Sequence, residues 1–300
     1  MIEVDGLRKA YGSVVALDGV SFSVSDGELV GLVGLNGAGK TTTIKIIAGV
    51  LRPDAGRALV DGHDVVVDKV EASARVGWVP EMPVFEEGFR ARDYLIYLAG
   101  YYGISGGHAR ELADRLLEEV GLSEAKDRKL RGFSLGMRKR FALAASMLSD
   151  PGNFLFDEVL NGLDPQGIAF FRGFAVKLKE RGKAVLFSSH ILSEVQNLAD
   201  RVVFLHRGKV VAVKAMEEIM REARTAVRVV VANPDDRVLQ LLSRLGEAVR
   251  LGQSAFEVRG QVAPEDVNSE LVRNGYKVSS VGQVGGLEEY FFRLVGGEAR

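Results

Sequence analysis

Eight consecutive residues, Gly34-Leu35-Asn36-Gly37-Ala38-Gly39-Lys40-Thr41, have the types and spacing that bind phosphate. Glycines let successive backbone N–H groups curl around an anion, and a helix starting at the end of the run adds partial positive charge. Lys40 supplies a point charge to the β- and γ-phosphates, the Thr41 hydroxyl is suited to coordinate Mg²⁺, and Thr42 belongs to the same nucleotide-binding turn. A glycine-rich turn matching by chance is the competing reading. The flanks argue against it, because residues 28–33 read as a short buried strand and residues 41–50 have helical spacing. A second candidate pair, Asp157-Glu158, follows the apolar run Phe154-Leu155-Phe156. Two acids after a strand are commonly a helix cap. Beside a phosphate loop they become a Mg²⁺-shell ligand, Asp157, and a group that polarises an attacking water, Glu158.

The elements that must position these residues alternate along residues 1–215. Residues 2–7 and 14–24 are β-rich, 107–120 and 137–148 have helical spacing, and 153–156 and 184–188 read as buried strands around a helix at 166–180. Such β-α-β alternation implies a mostly parallel sheet covered by helices on both faces. Beyond Arg207-Gly208-Lys209 the pattern changes. A charged connector at 215–224 leads to a strand (225–231), a helix (235–245), two short strands (248–251, 255–259), a helix (264–274), a strand (276–281) and a closing helix (287–294). The β-α-β-β-α-β order is the ferredoxin-like arrangement. The fold class expected is therefore α/β with a phosphate-loop domain at 1–215, followed by a small α+β domain at 216–300.

Composition narrows the function classes. Of 300 residues, 47% are apolar and none is cysteine, so a core forms without disulfides and no thiolate zinc site is possible. Lys plus Arg number 39 against 40 Asp plus Glu, a balance that offers no general field for nucleic acid. The basic run Arg138-Lys139-Arg140 reads as a solvated helix face. No leader pattern is visible at MIEVDGLRKAYG, and the apolar windows are interrupted well short of the ~20 residues that span a bilayer. Any membrane role would come through a partner rather than by direct insertion.

With these residues in place, the chain resembles the nucleotide-binding subunit of ABC transporters across residues 1 to about 215. That family carries a helical subdomain between its phosphate loop and its acidic pair, here at about 85–150. Its Leu-Ser-Gly-Gly-Gln-like signature corresponds to Phe133-Ser134-Leu135-Gly136-Met137, with Ser134 and Gly136 matching and three positions departing. The resemblance implies that Ser134 and Gly136 reach the γ-phosphate held by a second copy of the chain. Asn161-Gly162-Leu163-Asp164-Pro165 resembles the D-loop, whose Asp164 would couple the two nucleotide sites. His190 in Ser188-Ser189-His190 resembles the switch histidine, and Tyr11 the aromatic residue that stacks on adenine. His63, His108 and His206 lack such a context and read as structural.

Glu81, in Val76-Gly77-Trp78-Val79-Pro80-Glu81, stands where the family usually has a glutamine that senses Mg²⁺ and the membrane partner. A carboxylate there resembles the branch serving exporters, and residues 286–294 resemble that branch's closing helix. The implied function is ATP binding and hydrolysis with Mg²⁺, catalysed by Lys40, Glu158 and His190. The implied assembly is a sandwich dimer on a separate polytopic transmembrane subunit, peripheral to the cytoplasmic face of the membrane. A soluble ABC ATPase acting on nucleic acid or ribosomes is the alternative. It would bring a second ATPase unit or a long coiled-coil insertion, neither of which is seen. A regulatory module that binds ATP without turnover is disfavoured by the presence of Lys40, Asp157, Glu158 and His190.

Overall fold

In the computed structural model, which describes residues 1–223, 226–260 and 262–296, the chain opens with a hairpin. Strands β1 (Ile2–Tyr11) and β2 (Val14–Val24) pair antiparallel through a turn at which Gly12 adopts φ 59°, a left-handed conformation that suits glycine. β3 (Leu29–Val33) is buried at every position, as a strand covered on both faces must be. The phosphate-loop candidate follows it and leads into helix α1 (Lys40–Ile47). β4 (Ala55–Val60) and β5 (His63–Asp64) then return to the hairpin, giving an antiparallel sheet of order β2-β1-β4-β5.

Helix α2 (Lys69–Ala74) precedes β6 (Val76–Val79). Three mutually packed helices come next, α3 (Ala91–Ala99), α4 (Gly106–Glu119) and α5 (Leu135–Ser146). Phe141 of α5 anchors them, with the rings of Phe85 at 4.8 Å and Tyr94 at 6.2 Å. β7 (Asn153–Phe156), α6 (Pro165–Glu180), β8 (Ala184–Ser189), α7 (Leu192–Leu198), β9 (Arg201–His206) and β10 (Lys209–Ala215) complete the first unit, Met1–Ala215.

Its larger sheet has the order β10-β9-β3-β8-β7-β6, parallel throughout except for the antiparallel edge strand β10. The expected mostly parallel sheet is thus present. The first two β segments, however, belong to the separate antiparallel sheet. Helix α1 explains the need for both: Ile44, Ile46 and Ile47 share one buried cluster with Ile2, Val4 and Val60 of one sheet and Val30, Leu32 and Leu186 of the other. On the six-stranded sheet α6 and α7 also pack, and a side chain at Gly31 would lie 2.6 Å from Val195 of α7.

The second unit, Met216–Arg300, has its own core. It runs α8 (Met216–Glu222), β11 (Ala226–Ala232), α9 (Asp236–Leu242), β12 (Glu247–Arg250), β13 (Ala255–Arg259), α10 (Pro264–Arg273), β14 (Lys277–Val284) and α11 (Leu287–Gly296). The sheet order is β12-β13-β11-β14, antiparallel throughout. Thr225, the expected first residue of β11, lies outside the described residues. Alternation along β11 turns Val227, Val229 and Val231 inward against Phe256, Val258, Val267 and Leu271.

Candidate active site

Ligands of open α/β sheets bind at the carboxyl ends of the parallel strands, and there the chemistry-bearing residues gather. β3 ends at Val33 and runs into the glycine loop, β8 ends at Ser189 before His190, β7 ends at Phe156 before Asp157-Glu158, and β6 ends at Val79 before Pro80-Glu81. Register brings the four ends to one side of the sheet: Val33 pairs with Ser189, while Phe156 pairs with Phe187 and Val79 with Phe156, so β7 and β6 stop two residues short of β3 and β8.

Close approach requires glycine in the loop. A Cβ on Gly34 would stand 2.4 Å from the Leu205 carbonyl oxygen, and Gly39, at φ 111°, would place one 2.6 Å from the Leu17 side chain. Lys40, 6% exposed, donates from Nζ to the Gly34 carbonyl at 2.8 Å and pairs with Glu158 Oε1 at 3.2 Å. Thr41 Oγ1 donates to Asp157 Oδ1 at 3.1 Å. On the far side of Glu158, Oε2 lies 2.9 Å from His190 Nδ1. Glu158 has φ 47°, an uncommon backbone conformation for a non-glycine residue and one that clusters at active sites.

Residues 36–42, Val14, Val15, Glu81, Glu158, Asn161 and His190 line a common cleft of about 530 Å³. Gly34 and Leu35 sit behind it, their carbonyls accepting from Lys40. A larger cavity, about 740 Å³, opens beside α4 and residues 147–150 and is lined by none of the expected site residues.

Tyr11, Ser134, Gly136 and Asp164 lie outside the cleft lining. Tyr11 ends β1, half-exposed, opposite Val14 in the hairpin. Ser134 caps α5, its hydroxyl accepting from Met137 N at 3.3 Å, and Gly136 lies in the first turn. Asp164 caps α6 in the same way, accepting from Gly167 N at 2.8 Å. Glu81 lines the cleft, and its Oε1 accepts from Asn161 Nδ2 at 3.1 Å.

Burial pushes the Asp157 carboxyl above the usual range, and hydrogen bonds from Ser188 and Thr41 offset this only in part; the charges of Glu158 and Glu81 push the same way as burial. A cation bound there would reverse that pressure. The glycine cradle, the Lys40 charge and the hard oxygens of Thr41 and Asp157 fit a nucleotide with Mg²⁺.

Two features escaped the sequence reading. Ser188 accepts from the backbone N–H of Glu158 at 2.9 Å while donating to Asp157 Oδ1 at 2.9 Å. Its position two residues before His190 was the available signal. The basic run at 138–140 is not a solvated face: Lys139 is 2% exposed, and its Nζ donates to the carbonyls of Val159 and Asn161. Burial lowers the Lys139 pKa, against the opposing fields of Glu81 and Glu158. The neighbours are engaged as well, Arg138 with Glu87 at 2.7 Å and Arg140 over the Phe170 ring at 4.0 Å.

A parallel sheet carrying a glycine loop, a helix and an acidic pair at its strand ends defines a phosphate-loop nucleotide-binding protein. Residues 17–161 match the family model described as ABC transporter. The bacitracin transport ATP-binding protein BcrA of Bacillus licheniformis is 32% identical, over 99% of this chain and 98% of its own. Nod factor export ATP-binding protein I of Burkholderia orbicola is 33% identical, over 99% and 97%. A solved ATP-binding subunit of an ABC transporter superposes with a TM-score of 0.68 at 32% identity, covering 74% of this chain and 92% of its own. The chain belongs to the ABC transporter family, among its ATP-binding proteins.

Proposed function

We propose that this chain hydrolyses ATP at the 34–42 loop and drives a separate polytopic transmembrane subunit, in the direction of export. The observation that carries the hydrolytic reading is Glu158, held between Lys40 at 3.2 Å and His190 at 2.9 Å beside the phosphate loop. In this reading Lys40 and the loop amides bind the β- and γ-phosphates. Glu158 polarises the attacking water, while the His190 imidazole fixes the carboxylate's orientation and contacts the γ-phosphate. Thr41 and Asp157, with Glu81 nearby, would hold Mg²⁺, which supplies charge neutralisation on the phosphate oxygens. Tyr11, with Val14 and Val15 on the same hairpin, would take the adenine.

Ser134, Gly136 and Asp164 lie on helix starts outside this cleft, which supports their use on a second copy in a head-to-tail sandwich. Export is the activity named for the Nod factor relative, and that likeness supports it here, as does Glu81 at the sensor position. The chain would then sit on the cytoplasmic face of the membrane through its partner. Among the described residues no helix is long and apolar enough to cross a bilayer. Residues 1–215 would be the ATPase domain, with the helical subdomain at about 85–150, and 216–300 an accessory domain. The element order and the antiparallel order β12-β13-β11-β14 support reading the latter as ferredoxin-like.

Glu158→Gln tests the mechanism, because an amide keeps the shape but is a poor base. ATP binding should persist while phosphate release falls about a hundredfold or more, equivalent to roughly 2.7 kcal/mol of barrier. ATP should also shift the variant from monomer to dimer on size-exclusion chromatography, whereas Lys40→Ala should weaken binding itself. Wild-type turnover in Glu158→Gln would remove the catalytic assignment.

A further inference from the structure

Helix α5 carries a cation away from water. The Lys139 ammonium donates to the Val159 carbonyl at 2.7 Å and the Asn161 carbonyl at 2.5 Å, both neutral acceptors, and forms no direct ion pair among the described residues. Removing a charge from water without a partner is costly, so a compensating charge nearby is required. Glu81 and Glu158 are the groups whose fields reach it. Both are connected to the carbonyls it holds. Val159 follows Glu158 directly, and Asn161 extends its side-chain amide to Glu81 Oε1 at 3.1 Å. One lysine on α5 thus grips the segment that leaves the acidic pair, and that segment grips the acid at the end of β6.

We infer that Lys139 is a positioning residue for the hydrolytic site, fixing residues 159–161, and through them Glu158 and Glu81, with a charge that balances those two acids. The inference rests on the hydrolytic reading of the cleft. A simple staple between helix and loop would need the donors of Lys139 but would be indifferent to the charge of Glu81. Charge balance makes the two side chains interdependent.

The test is a double-mutant cycle on the full chain with Lys139→Gln, Glu81→Gln and the pair together, since glutamine keeps an N–H donor and removes the charge. Lys139→Gln should lower kcat about tenfold or more while KM for ATP stays within about twofold, because the phosphate loop is untouched. The double variant should exceed the product of the single effects by about fivefold or more. Hydrogen exchange reads the positioning without turnover: amides 159–163 should exchange about tenfold faster in Lys139→Gln, while β3 and α1 keep their protection. Lys139→Met, of similar length and without donors, should show the same local loosening and serves if the glutamine variant is poorly folded. Independent effects of the two substitutions would overturn the charge balance. Unchanged exchange at 159–163 would overturn the positioning role, even in a protein that proved not to hydrolyse ATP.

Discussion

Ser188 joins the two acids of the site through a single hydroxyl, accepting from the Glu158 amide and donating to Asp157. The Glu158 backbone is left-handed, and the bond to its N–H is one of the contacts holding that conformation. Ser188→Ala should leave this buried N–H unpaired, costing about 1–3 kcal/mol in urea denaturation. Hydrolysis should fall about tenfold as Glu158 loses its fixed direction. Wild-type stability and rate would mean that the hydroxyl orders neither acid. The phosphate loop was legible in the sequence because its amides must follow one another along the chain to surround an anion. The role of Ser188 was not, since it exists only once β8 lies beside β7. Lys139 was misread because three cations in a row suggest a wetted surface. Successive helical residues point about 100° apart, so such a run turns at least one side chain away from its neighbours' direction.

At the scale of elements, β9 is fastened to β3 and β2 at the end of the sheet opposite the cleft. Arg201, at the start of β9, meets Glu28, just before β3, through two bonds of 2.7 and 2.9 Å, and donates to the Ser23 carbonyl at the end of β2 at 2.7 Å. Burial alone would raise the Glu28 carboxyl, but the Arg201 bonds and the Ser25 amide outweigh it and hold the pKa below its ordinary 4.5. A depressed carboxylate stabilises the fold fully above its unfolded value, and that contribution is lost as pH falls through the folded one. Arg201→Met should therefore cost about 1 kcal/mol at pH 7, a modest figure because the pair is partly exposed. The difference between wild type and variant should narrow steadily below pH 4.5. A gap independent of pH would assign the cost to packing. The short buried strands read at 153–156 and 184–188 were legible from the apolar runs Phe154–Phe156 and Ala184–Phe187. β4 was not, because it starts with exposed Ala55-Gly56, which reads as a turn, and neither was α3, whose N-cap position, Arg90, gives no side-chain cap.

For the whole molecule, the sequence pattern changes near residue 215, and each of the two compact units has a core of its own. A chain ending at Ala215 should fold and bind Mg·ATP with a Kd within about threefold of the full protein, measured by calorimetry, because the cleft is built wholly from the first unit. Loss of binding in a folded fragment would tie the second unit to the nucleotide. The same sheet order that gathers the strand ends also delays them. β3 is made long before its neighbours β8 and β9, and the Leu29 amide takes its partner from Asp200, 171 residues further on. A chain emerging from the ribosome therefore carries its glycine loop without the parallel strands that flank it until β8 and β9 have been made, and the folding that brings Asp157, Glu158 and His190 to that loop comes only then.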